Sequence, residues 1–217
     1  MALAIFDLDE TLISADSDYK WGQYIAEKGL VNPDEHLYRS NIFYQQYKAG
    51  VLDVSEYYEF ACSVLANHPT DLLNKHLATF VDERIKPVIL PKAMELIDWH
   101  RSEGNYVMVI TSTIEFITRP IVNLFGIETL IAPIPKFKKG RYTGNLLSSP
   151  SFGPGKVSCL NAWLKNSIHN LEGSFFYSDS HNDLPLLSLV DHPVAVDPDP
   201  ILRKEAMVQK WPILTLR

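Results

Sequence analysis

Near its start the chain carries a short apolar run, residues 3–7, that passes directly into Asp7-Leu8-Asp9-Glu10-Thr11. A run of this length that ends in acids suits a buried parallel strand delivering carboxylates at its carboxyl end. The strand's partners cannot be local, because from Asp16 to Arg84 the texture is helical, rich in Tyr, Gln, Glu and Lys. Residues 34–49 predict one helix, closed by Gly50. Asp53 followed by Glu56 predicts a capped start for the helix carrying Tyr57, Phe60, Ala61 and Val64. Pro69-Thr70-Asp71 opens a further run towards Asp82, and no strand-like segment interrupts the stretch.

After Pro87 and Pro91 the pattern alternates. Helices are expected over 92–103, 114–124, 156–164 and 184–189, with buried strands over 106–110, 129–132, 174–177 and 193–196. Residues 137–147, with a Lys-Lys-Gly turn, predict a hairpin. Alternating strands and helices predict an α/β fold, a doubly wound parallel sheet with helices on both faces. The first strand belongs to that sheet, so the helical block is an insertion. The expected organisation is a core of residues 1–15 and 87–217 with an all-helical cap at 16–86.

Composition narrows the function. At 46% hydrophobic and 11% aromatic residues the chain is too apolar to be disordered. Lys and Arg number 20 against 26 Asp and Glu, a net charge of −6 without a long basic stripe, which argues against a nucleic-acid partner. Cys62 and Cys159 form no CxxC or metal-ligand spacing and read as reduced thiols. No basic region precedes the first apolar run, and no stretch approaches a membrane span. A cytosolic protein without a membrane partner is expected.

In a doubly wound sheet the site lies at the carboxyl ends of the strands. That edge collects Asp7 and Asp9, then Thr111-Ser112-Thr113, then Lys156 after the Gly153-Pro154-Gly155 turn, then Asp179, His181, Asn182 and Asp183. Two carboxylates about 4 Å apart repel by roughly 4 kcal/mol at an effective dielectric near 20. One lysine does not offset four acids, whereas a hard divalent ion with oxygen ligands does. Mg²⁺ suits such a site, since it leaves room for water and phosphate oxygens.

In these four segments and their order the chain resembles the haloacid dehalogenase-like hydrolases, and among them the phosphoserine phosphatase-like subfamily. Asp7-Leu8-Asp9-Glu10-Thr11 matches the family's DxDxT/V motif, Thr111 its strand-closing hydroxyl, Lys156 its lysine, and Asp179 to Asp183 its acidic loop. The resemblance spans essentially the whole chain, with the helical insert after the first motif as in that subfamily. It implies an Mg²⁺-dependent phosphomonoesterase in which Asp7 attacks phosphorus and Asp9 serves as acid, then base. Thr111, Ser112 and Lys156 would hold the phosphoryl oxygens. Asp7, Asp9 through its backbone carbonyl, and Asp179 would bind the metal, with Asp183 completing that shell and Asp183 and Asn182 orienting it and Lys156. A phosphotransferase would share every one of these motifs.

The remaining residues of note have plainer readings. His181 is expected to line the entrance or to be solvated, Cys159 to pack, and Lys136, Lys138, Lys139 and Arg141 to form a solvated hairpin. Trp21, Tyr24, Tyr44 and Tyr47 recur at helical spacing and are expected in the core of the cap. Asp16 stands where phosphoserine phosphatases carry the acid that meets the substrate's amine. The arginine that meets their substrate's carboxylate falls on or beside Ala61, near Glu59, leaving only Arg39 or Arg84 as replacements. These departures imply a small phosphate ester with an amine and no carboxylate, such as histidinol phosphate, with phosphoserine as the competing substrate.

Overall fold

The computed structural model describes residues 1–217. Strand β1 (Leu3–Phe6) is followed in the chain by β2 (Tyr106–Ile110) and β3 (Thr129–Ile131), then a separate antiparallel hairpin of β4 (Pro135–Lys138) and β5 (Arg141–Leu146). The chain returns to the main sheet with β6 (Phe175–Ser178), β7 (His192–Val196) and β8 (Ile213–Leu214). The sheet has six parallel strands in the order β3-β2-β1-β6-β7-β8, so β1 is central and its neighbours β2 and β6 come from far downstream. Ala4 sits in register with both Val107 and Phe175.

Four helices occupy the insert: α1 (Ser17–Glu27), α2 (Pro33–Lys48), α3 (Val54–Ala66) and α4 (Thr70–Phe80), the last running into a π turn at Val81–Ile85. Asp16, Asn32 and Asp53 cap the first three through side-chain bonds to Tyr19, Glu35 and Glu56 amides. The two ends of the insert are adjacent. Ile13 pairs with Ile89, and the Ser14 amide donates to the Val88 carbonyl at 2.8 Å. The chain therefore leaves and rejoins the sheet at one place, which leaves the register of β1 undisturbed.

Around the sheet stand α5 (Pro91–Ser102), α6 (Glu115–Leu124), α7 (Pro154–Leu164), α8 (Leu184–Leu187) and α9 (Pro200–Gln209). Strand alternation divides the apolar residues between two cores. Leu3 and Ile5 join a 12-residue cluster with Leu160, Phe176 and Leu202. Ala4 and Phe6 join a 32-residue cluster that runs from Val109 and Tyr177 into Trp21, Leu73 and Phe80 of the insert. The helical block and one sheet face thus share a continuous apolar interior.

Several expectations shift. Helix α7 begins at Pro154 rather than Lys156, because proline at the first helical position has no amide to satisfy, and this brings Lys156 inside the first turn. The hairpin starts at Pro135, and α8 ends at Leu187. Helix α9 and strand β8 were not anticipated. Asp199 capping α9 ahead of Pro200 is a readable signal, whereas a two-residue edge strand has none. Cys62 and Cys159 are free thiols, and the basic residues of the hairpin are exposed. No helix is long and apolar enough to cross a membrane.

Candidate active site

The carboxyl end of β1 places Asp7 beside β6, where its amide donates to the Tyr177 carbonyl at 2.9 Å. Asp7 is only 4% exposed. Lys156 reaches it from α7, donating to Asp7 Oδ1 and to Asp183 Oδ2, both at 2.8 Å. Lys156 is itself 2% exposed. It can approach this closely because of Gly155, where a Cβ would overlap the Pro150 carbonyl oxygen. Burial disfavours the ammonium, but Asp183 and Asp7 outweigh it and hold the Lys156 pKa above its ordinary value.

Asp9 is turned towards the insert. Its Oδ1 accepts from the Ser17 amide at 2.7 Å and its Oδ2 from the Thr113 hydroxyl at 2.8 Å. Burial, reinforced by Asp16, pushes its carboxyl up to about 7. Asp7 is also raised to about 7, by burial against the opposing pull of Lys156. Asp179 is held by Thr11, whose hydroxyl donates to Oδ1 at 3.2 Å and accepts from the Asp179 amide at 3.1 Å. Burial, Asp7 and Asp183 push the Asp179 carboxyl well above its ordinary range.

A cavity of about 670 Å³, counting its open mouth, lies between this edge and the insert. Asp7, Asp9, Thr111, Ser112 and Thr113 line one side, and Asp16, Asp18, Phe43, Tyr57 and Phe60 line another. No lysine or arginine lines it. Its outer opening adds Asp179, His181 and Lys48, with Lys48 5.0 Å above the Tyr44 ring.

The model of the haloacid dehalogenase-like hydrolase family matches residues 4–188. The chain belongs to the haloacid dehalogenase-like hydrolases. It is 43% identical to a histidinol-phosphatase of Neisseria meningitidis, over 99% of each chain. A probable phosphatase of Mycobacterium tuberculosis is 29% identical over 98% of this chain and 74% of its own. Among solved structures, a Bordetella pertussis protein described as of unknown function superposes with TM-score 0.93 at 37% identity, covering 100% and 99% of the two chains. A substrate-bound phosphoserine phosphatase gives TM-score 0.70 at 19% identity, over 100% and 93%, a likeness of fold. The hydrolase is a phosphatase, in agreement with the sequence reading.

The structure of this hydrolase brings together Asp7, Asp9, Thr111 and Lys156, with Asp179 at the adjoining mouth. Thr111 is buried, and its hydroxyl accepts from the Thr113 amide at 3.2 Å. It caps no helix, since α6 has no side-chain cap. Asp183 lies beneath Lys156, away from the cavity wall, and accepts from the Lys156 ammonium at 2.8 Å and from the Ser178 hydroxyl at 2.7 Å. Two other expected residues have their side chains engaged elsewhere. Asn182 donates to the Tyr47 carbonyl at 3.1 Å and does not line the cavity, so its amide is committed to the insert. Ser112 lines the cavity, but its hydroxyl donates to the Ser151 carbonyl at 2.9 Å.

The aromatic reading divides. Trp21 and Tyr24 are core residues, as expected, whereas Tyr44 and Tyr47 line the cavity, because α2 carries few apolar residues and turns that face to the site. His181 borders the mouth, where its ring and amide both bond Asp199. Asp199 also caps α9, so the acidic loop is braced by an element that the sequence reading left out. Thr113, placed at this edge by the sequence but given no role there, bonds Asp9, and Asp18, which no motif marks, lines the cavity.

Proposed function

We propose that the protein hydrolyses the phosphate monoester of an amino alcohol that lacks a carboxylate, with histidinol phosphate as its substrate. One observation carries this reading: four carboxylates and no lysine or arginine line the inner cavity. A substrate carboxylate would enter that space uncompensated, at a cost of about 2–5 kcal/mol, whereas an ammonium would be stabilised. Arg39 pairs with Glu56 at 3.4 Å and lines a separate groove, and Arg84 pairs with Glu27 on the surface. Neither stands in for the missing arginine. The 43% identity to a histidinol-phosphatase supports the same substrate.

In the proposed reaction Asp7 attacks phosphorus in line, forming the Asp7 oxygen–phosphorus bond as the ester oxygen leaves. Asp9 gives its proton to that departing alkoxide, a role for which a carboxyl raised to about 7 is suited. It then takes a proton from the water that attacks phosphorus and releases Asp7. Thr111 offers its hydroxyl proton to a phosphoryl oxygen, and Lys156 keeps Asp7 ionised and aimed. Asp16 takes the substrate's amine. The helical block of residues 16–86 acts as the cap that closes over it.

Haloacid dehalogenase-like phosphatases generally use Mg²⁺, and the donor set here fits it. Lys156 serves Asp7 and Asp183, while Asp179 beside them forms no ion pair. The Asp7 and Asp179 carboxylates and the Asp9 backbone carbonyl would hold the ion, which supplies charge neutralisation for the phosphoryl oxygens.

Two outcomes are expected. The kcat/KM for histidinol phosphate should exceed that for phosphoserine by at least about 30-fold, the factor matching the lower end of the carboxylate cost. A clear preference for phosphoserine, measured as released phosphate, would overturn the substrate. EDTA should stop turnover and Mg²⁺ restore it, while Ca²⁺ inhibits through its looser coordination. Undiminished turnover in EDTA would remove the metal from the scheme.

A further inference from the structure

On its helical side the inner cavity offers a second carboxylate besides Asp16. Asp18, two residues further along in the first turn of α1, lines the same space, together with Tyr57 and Phe60 of α3 and Phe43 of α2. The three rings form one wall. Phe43 meets Tyr57 edge-on with centroids 5.7 Å apart and leans on Phe60 at 5.3 Å.

The neighbours of Asp18 do not neutralise it. The Tyr57 hydroxyl beside it is a neutral donor, and burial still holds the Asp18 carboxyl up at about 6. The charged groups that act on it, Asp9 and Asp16, are themselves acids. The cation that does approach this wall, Arg39, stands 4.8 Å from the Phe60 ring centre, engaged by Glu56 in the neighbouring groove. The two acids also differ in address. Asp16 lines both the inner cavity and its outer mouth, beside Asp9 and Glu10, whereas Asp18 lines the inner cavity and not the mouth.

We propose that Asp18, backed by Tyr57 and walled by Phe43 and Phe60, is the subsite for a flat, cationic ring on the substrate, distinct from the amine position at Asp16. The claim rests on the amino-alcohol reading above and deepens it. A second alkyl ammonium would find the acid but gain little from aromatic walls. An imidazolium offers an N–H to the carboxylate and a flat, positively charged face to the rings.

The test compares Asp18→Asn with the parent enzyme on histidinol phosphate and on O-phosphoethanolamine, which has the amine and no ring. The ratio of kcat/KM between the two esters is expected to fall on the order of 100-fold, carried by KM, because a buried charge partner has been removed. Equal losses on both esters, or no loss on either, would overturn the subsite. Calorimetric titration with histamine, which carries ring and amine without phosphate, separates this claim from the choice of substrate. Binding to the parent enzyme that weakens at least tenfold in Asp18→Asn supports the subsite even if phosphoserine proves the better ester. Equal histamine affinity in the two proteins refutes it.

Discussion

Asp7→Asn is expected to lower kcat by at least roughly 10⁴-fold, because a carboxamide oxygen does not form the acyl-phosphate on which both half-reactions depend. The same change is expected to leave thermal stability unchanged or raised. Asp7 is a buried carboxylate close to Asp183 and Asp179, and replacing it removes repulsion while Lys156 keeps its second partner, Asp183. Single-turnover phosphate release, read beside a thermal melt, checks both halves. Retention of more than a trace of activity would remove Asp7 as nucleophile. Inactivity with a collapsed melt would show instead that the charge is structural.

Lys156→Met is expected to be severe in a different way. It strips the single cation from two buried carboxylates, Asp7 and Asp183, and breaking a buried pair in this manner costs about 3–5 kcal/mol. The pH dependence follows from the direction of the resulting shifts. Without the lysine the Asp7 carboxyl, already raised by burial, moves further above its unfolded value, so the folded state binds its proton more tightly than the unfolded one. Stability is then retained at low pH and lost as pH rises through that raised value. The deficit in unfolding free energy relative to the parent protein, measured in EDTA, should be small near pH 5 and large near pH 8. A deficit independent of pH would mean that lost packing, not lost charge, dominates. Activity at pH 7 should fall by roughly 10³-fold or more, since Asp7 would be neither aimed nor kept ionised.

The chemistry was legible because strand ends in a parallel sheet must converge. Apolar runs that terminate in Asp7, Thr111 and Asp179 need only the sheet to be assembled for those residues to meet, and Lys156 follows from a turn that only glycine permits. Capping was legible too: Asp53 binds the Glu56 amide as its spacing requires. Asn182 and Ser112 were not legible. The Asn182 amide and the Ser112 hydroxyl donate to the Tyr47 and Ser151 carbonyls respectively, partners many positions away that no local pattern reveals. Tyr44 and Tyr47 failed for a related reason. Helical spacing shows which residues share a face but not whether that face meets apolar core or a cavity.

By itself the sequence determined the parallel sheet with its long helical insert and which residues meet at the carboxyl edge of that sheet, since each depends on local pattern and chain order. What only the tertiary structure decided is the polarity of the space above them. Asp16 and Asp18 from α1 and the rings of α2 and α3 become one acidic, aromatic wall only when three helices pack over the sheet, and Arg39 is turned into another groove by Glu56. Substrate selectivity is a sum of long-range charge and shape terms from segments far apart in the chain, and packing sets that sum.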